Sequence, residues 1–169
     1  MKLNLLYISS QKNKSALFSE DDLVKRIKSP LKLELKKIFC KTESNNTEQQ
    51  KDFEWEQIKK YLNKNNFLFC FDKNGDKFSS ENFSNFLFKQ TKDIDFVIGG
   101  SFGISKKLLD SSNNVISFSD MEFSHDIFRL MVVEQIYRAQ CIFNNHPPGF
   151  MYDNVEKTRN VTSKCCSLG

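Results

Sequence analysis

The sequence predicts an α/β domain built on a mostly parallel sheet, and three observations carry that expectation. Short apolar runs alternate along the chain with segments of helical periodicity, the order that places helices between parallel strands. Phe67-Leu68-Phe69-Cys70-Phe71 and Phe96-Val97-Ile98 are apolar without alternation, as strands covered on both faces are. Each such run stops in a polar or glycine-rich loop. At 169 residues the chain is one domain by size, large enough to bury a core without disulfides or metal.

Taken in order, residues 3–8 form a first strand, and Ser9 opens a polar loop. A helix follows with apolar Leu17, Leu23 and Ile27, the Ser19-Glu20-Asp21-Asp22 run either restarts it or supplies its first-turn carboxylates, and Pro30 ends it. Leu31-Lys32-Leu33-Glu34-Leu35 alternates strictly, giving a half-buried strand that Ile38-Phe39 extends after a break at Lys36-Lys37. Residues 41–52 read as a polar surface loop feeding a helix over residues 53–62. The aromatic strand 67–71 then ends at the turn Asp72-Lys73-Asn74-Gly75. Ser79-Ser80-Glu81 caps a helix with the stripe Phe83, Phe86 and Leu87. A core strand at 94–98, a short helix capped by Ser105 and carrying Leu108 and Leu109, and a strand at 115–118 complete the sheet. Last comes a long helix over residues 127–143, in which Arg129, Glu134, Gln135, Arg138 and Gln140 interrupt an otherwise apolar surface. A surface helix shows one wide polar face, so this one is expected to be covered on both sides, most simply by a second subunit.

Composition narrows the function classes. The net charge of +4 permits an anionic partner without demanding one. No apolar run approaches the roughly 18 residues of a membrane span, and Met1-Lys2 leads straight into a strand, which points to a soluble, cytoplasmic protein. The cysteines Cys40, Cys70, Cys141, Cys165 and Cys166 are scattered without CxxC spacing, which argues against a disulfide framework or zinc site. No metal is expected.

Candidate chemistry gathers at strand ends. Gly99-Gly100-Ser101-Phe102-Gly103 lacks both the GxGxxG spacing of a dinucleotide fingerprint and the lysine of a P-loop. A glycine turn is by itself more often structural, yet ligands of α/β sheets sit at the carboxyl ends of strands, where Phe71, Gly99 and Phe118 all stand. His125 and His146 are the two histidines, neither in a metal-ligand pair. On an ideal helix His125 and Arg129 share one face, and Glu134 and Arg138 share the opposite one. The latter pair is by default a helix salt bridge; held at an interface, its arginine suits a phosphate.

Three runs then match a known family. Phe96-Val97-Ile98-Gly99-Gly100-Ser101-Phe102-Gly103, Ile116-Ser117-Phe118-Ser119-Asp120-Met121-Glu122-Phe123-Ser124-His125, and the stretch from Arg129 through Val133-Glu134-Gln135-Ile136-Tyr137-Arg138-Ala139 closely resemble the ribosomal RNA large subunit methyltransferase H family. These are small SPOUT-class enzymes that methylate N3 of a pseudouridine in 23S rRNA. The resemblance implies a SPOUT-type knotted α/β fold over residues 1–145, with a trefoil knot in its carboxyl half, and residues 146–169 as a flexible C-terminal extension. It further implies a homodimer acting on large-subunit rRNA in the ribosome, cytosolic or organellar, and an S-adenosyl-L-methionine site at the dimer interface. The cofactor pocket then maps onto Phe71, Gly99, Gly100 and Gly103 with Phe118, Ser119, Asp120, Met121, Glu122 and Phe123. Arg138, oriented by Glu134, and His125 become catalytic candidates, with Arg129, His146 and Tyr152 on the substrate side. A Tyr-His pair usual near the family's end is replaced here by Pro148-Gly149, and Tyr152 supplies the tyrosine only if an insertion shifts it. The other reading is therefore an RNA- or ribosome-binding module that keeps the fold without transferring a methyl group.

Overall fold

Alternation along the strands decides the architecture. In the computed structural model, which describes residues 1–9, 18–41 and 46–146, strand β1 (Lys2–Ser9) sends Leu3 and Leu5 to one face and Leu6 and Ile8 to the other. It lies between β2 (Lys32–Phe39) and β4 (Ile94–Ile98), while β3 (Phe67–Lys77) lies between β4 and β5 (Asn114–Ser117). All four pairings are parallel, in the order β2-β1-β4-β3-β5. The α/β expectation holds: a five-stranded parallel sheet is flanked by helices on both faces.

One face packs Leu5, Phe69, Phe71, Phe96 and Ile116 against helices α1 (Phe18–Arg26), α3 (Ser80–Phe88) and α5 (His125–Phe143). The other packs Leu6, Cys70 and Val97 against Trp55 and Ile58 of α2 (Thr47–Lys59) and Leu108 of α4 (Lys106–Ser111). All five residues of β4 are buried, the consequence of a central strand covered twice. Phe83, Phe96 and Ile136 are fully buried, worth about 1.5–3 kcal/mol each.

Several boundaries differ from the sequence reading, three of them for reasons visible in the structure. Strand β2 runs unbroken through Lys36 and Lys37, which pair with Leu6 and Tyr7. It is an edge strand, where lysines keep their charged ends in water along half-buried stems. Helix α2 begins at Thr47, inside the expected loop, because the Asn46 side chain accepts hydrogen bonds from the backbone N–H groups of Glu48 and Gln49 at 3.0 and 3.3 Å. Strand β3 does not stop at Asp72: Phe71 and Asp76 both register with Ile116, so the residues between them loop out and pairing resumes with β5. Within that excursion Asp72 Oδ1 accepts from the Asn74 backbone N–H at 2.9 Å.

No helix among the described residues is long and apolar enough to cross a membrane. Leu17, Tyr152, Cys165 and Cys166 lie outside the described residues. Cys40, Cys70 and Cys141 are buried free thiols.

Candidate active site

A cavity of about 480 Å³ opens where β4 and β5 end and where β3 loops out after Phe71. Phe71, Ile98 and Ile116 reach it from the three strands, as the parallel register dictates. Phe71, Phe118 and Phe128 form a mutually packed trio with ring centroids 5.3 to 5.7 Å apart, so one wall is aromatic and stiff. The opposite wall is a tight turn in which the Gly103 N–H donates to the Gly100 carbonyl at 2.9 Å, with Gly103 at φ 85°. That left-handed angle suits glycine, and a Cβ there would meet nothing within 4 Å, so the turn leaves open space at this position.

The loop after β5 is shaped by its own serines. Ser117 Oγ donates to the Ser119 carbonyl at 3.2 Å, and the Met121 N–H donates to Ser119 Oγ at 2.9 Å. Two exposed ion pairs tie this loop to β3: Lys73, in the excursion, with Glu122, and Lys77, in the resumed strand, with Asp120. Cys70 faces the other side of the sheet, and burial pushes its thiol up to about 12, which leaves it protonated and non-nucleophilic at neutral pH. Among the described residues no cluster of His, Cys, Asp and Glu is arranged to hold a metal ion.

The family model "Predicted SPOUT methyltransferase" matches residues 1–148. This chain belongs to the SPOUT methyltransferase family. Within it, the ribosomal RNA large subunit methyltransferase H proteins are its relatives: that of Clostridium tetani is 35% identical over 156 residues, covering 87% of this chain and 98% of that protein. The Phocaeicola vulgatus protein is 35% identical over 153 residues with the same coverage. A shorter match, 46% identical over 98 residues, links the chain to the Dictyoglomus thermophilum protein, covering 56% of this chain and 64% of that one. Among solved structures, a probable methylase family protein from Haemophilus influenzae shares the fold at a TM-score of 0.52 and 10% identity, over 85% of this chain and 68% of that one.

In this SPOUT domain the candidate residues separate into groups. Phe71, Gly99, Gly100, Gly103, Phe118, Ser119, Met121, Glu122 and Phe123 line the cavity, and so does His125 at the first turn of α5. Asp120 is outside the lining, its carboxylate turned to Lys77. Glu134 and Arg138 also lie off the cavity: Arg138 donates from Nε and Nη2 to Glu134 Oε1 at 2.9 and 2.6 Å, and Glu134 accepts from Gln135 at 2.6 Å. Nine residues of helix, about 14 Å, separate Glu134 from His125.

Arg129, expected on the substrate side, is instead built into the fold. It is 7% exposed, donates from Nε and Nη2 to the fully buried Glu20 carboxylate, reaches Asp126 at 3.2 Å and stacks 4.4 Å from the Tyr7 ring. Burial disfavours its cation, but the Glu20 hydrogen bonds outweigh this and hold its pKa above the ordinary value; burial likewise pushes the Tyr7 hydroxyl up. A guanidinium so engaged is not offered to a ligand. His146 is exposed just beyond α5, its N–H donating to the Cys141 carbonyl at 2.9 Å, away from the cavity.

Sequence reasoning missed Lys51, Ile104 and Phe128 in the lining and the buried Glu54 next to the glycine turn. Phe128 was reachable from its position three residues after His125. Lys51 was hidden because residues 41–52 read as loop, and a lone glutamate in a helix carries no sequence signal of burial.

Proposed function

We propose that this chain is an S-adenosylmethionine-dependent methyltransferase acting on N3 of a pseudouridine in large-subunit ribosomal RNA, as a cytoplasmic homodimer. In this reading residues 1–145 form one catalytic domain with a trefoil knot in its carboxyl half, and residues 146–169 are an extension of it. The supporting observation is the convergence of Phe71, the 99–103 turn and the 118–123 loop on a single cavity, at the carboxyl ends of β4 and β5 and the excursion of β3. The relatives' names supply rRNA as the substrate class.

The cavity suits the cofactor on its own terms. Its size falls in the roughly 300–1,000 Å³ range of small-molecule sites. The aromatic trio offers faces and edges for a purine, and the glycine turn brings backbone groups close without side chains in between. When bound, S-adenosylmethionine supplies a methyl group on a sulfonium sulfur that a nitrogen can displace in line. The chain's task is then alignment and deprotonation. Phe71, Phe118 and Ile98 keep water from the reacting end, and the turn holds the cofactor's orientation. His125, half-buried in the cavity wall, is placed to take the proton lost by the base's imide nitrogen. Arg138, oriented by Glu134, is suited to the RNA backbone or to the developing negative charge.

A second copy accounts for what one chain leaves open. Phe102, Met121 and Phe123 line the cavity yet are 41%, 71% and 37% exposed, an apolar rim that calls for cover. A partner's α5 is the element that brings a Glu134–Arg138 pair toward it. Calorimetric titration with S-adenosylmethionine, followed by mass spectrometry of large-subunit rRNA after incubation with unmethylated ribosomes, tests the reading. Binding and one new methylated pseudouridine are expected. Binding without product favours the RNA-binding module, and no binding refutes the cofactor assignment.

A further inference from the structure

The glycine turn is held from behind by a carboxylate that takes no part in the cavity lining. Glu54, on α2, is 6% exposed and accepts from the Gly100 backbone N–H at 3.2 Å and from Gln50 Nε2 at 3.0 Å. Its carboxylate lies flat against the Gly100 Cα: a Cβ built there would stand 2.5 Å from both oxygens, a separation real Cβ atoms do not show. A side chain at position 100 would displace the acid from this place. Gly100 is also the acceptor of the bond that closes the turn onto Gly103, so whatever fixes Gly100 fixes the cavity wall.

Charge is the second half of the observation. Both donors to Glu54 are neutral amides, and among the described residues it forms no ion pair. Lys51, one turn earlier on α2 and in the cavity lining, is paired with Glu48 instead. A buried carboxylate without a cation is costly and favours any positive charge that comes near it. Only the thin glycine turn separates it from the cavity.

We propose that Glu54 is a positioning and specificity residue: it fixes the Gly100–Gly103 turn and biases the site toward a positively charged occupant over a neutral one. Resting on the reading of the cavity as the S-adenosylmethionine site, this means that the sulfonium donor is favoured over the neutral thioether left after transfer. The product is correspondingly easier to release.

The test uses the full chain and two ligands, S-adenosylmethionine and S-adenosylhomocysteine, titrated calorimetrically into wild type, Glu54→Gln and Glu54→Ala. Glutamine keeps the size and an acceptor for the Gly100 N–H but removes the charge. It is expected to lower donor affinity roughly tenfold while leaving thioether affinity within about twofold. Alanine is expected to weaken both ligands and, in the ligand-free protein, to speed amide hydrogen exchange at Gly100 and Gly103. Glu54→Gln weakening both ligands equally, or neither, overturns the charge role. Unchanged exchange in Glu54→Ala overturns the positioning role. Wild-type protein that binds neither ligand overturns the cavity assignment itself and this proposal with it.

Discussion

Replacing Gly99 with alanine asks whether the turn that walls the cavity tolerates any side chain at the end of β4. From sequence, a larger residue at this position is expected to obstruct the pocket while leaving the fold largely intact. The structure places the conflict elsewhere. A Cβ at Gly99 would lie 2.7 Å from the Gly103 carbonyl oxygen, 2.9 Å from its carbon and 2.7 Å from Ile104 Cγ1, where ordinary contact begins at 3.4 Å. Two of those atoms are backbone, and Ile104 is 7% exposed in the α2-side core, so none of the three can swing into solvent. The added methyl therefore displaces the turn instead of filling the pocket. Overpacking of this kind costs about 1–3 kcal/mol. For a chain of this length that is a loss of about 3–10 °C in Tm by scanning calorimetry. The same displacement moves the wall onto the ligand, and calorimetric affinity for S-adenosylmethionine is expected to fall at least roughly tenfold. A variant that melts within about 1 °C of wild type and binds the cofactor equally well would refute both the packing argument and the pocket assignment.

Arg129→Ala removes one partner of a buried ion pair, leaving Glu20 charged and unpaired; urea denaturation is expected to show a loss of about 3–5 kcal/mol, and a loss below about 1 would return Arg129 to the list of available surface cations. Glu34 is a solvent-facing counterpart: hydrogen bonds from Lys2 and Lys32 hold its carboxyl down to about 2. Because the folded value is depressed, its contribution is present above the ordinary carboxylate range and is lost as pH falls toward 2. The acid limb of wild type is therefore expected to be slightly steeper than that of Glu34→Gln over that interval, a difference that salt suppresses and that vanishes if the pairs are not formed in solution. Arg138→Ala is expected to cut single-turnover methyl transfer to ribosomes by at least roughly tenfold with cofactor affinity within about twofold, since the side chain lies off the cavity; equal turnover removes it from the mechanism.

How much of this was legible in the sequence follows from what kind of signal each feature leaves. Strand β4 was located to the residue because Ile94 and the run Phe96-Val97-Ile98 stand between polar residues and the Gly99-Gly100 pair. The caps at Ser79 and Ser105 were readable for a similar reason: each side chain accepts from a backbone N–H three residues on, the geometry their position implies. Features that depend on a partner distant in the chain were not readable. Arg129 looked like a free cation on a helix face because Glu20, which neutralises it, lies 109 residues earlier. Glu54 drew no attention because its partner is a glycine 46 residues later. Strand β3 appeared to end at Asp72 because the local turn chemistry is real, and only the register against β5 shows that the strand resumes.

Helix α5 ties these points together. Its inner residues Val132, Val133, Ile136 and Ala139 are fully buried against the sheet, α1 and α3, which explains one half of its unusual apolarity. The other half is a stripe at helical spacing, Ile127, Met131, Glu134, Arg138 and Ile142, that stays partly or fully exposed. Left in water, an apolar row with a single arginine–glutamate pair set into it carries a cost in solubility. Laid against a second copy, the same row buries its isoleucines and methionine while the paired charges remain hydrogen-bonded, as burial at an interface requires. In the proposed homodimer, the candidates that one chain keeps apart along α5, Glu134 about 14 Å and Arg138 about 20 Å from His125, would be reconciled by assembly: His125 would serve the cavity of its own chain, and Arg138 that of the other.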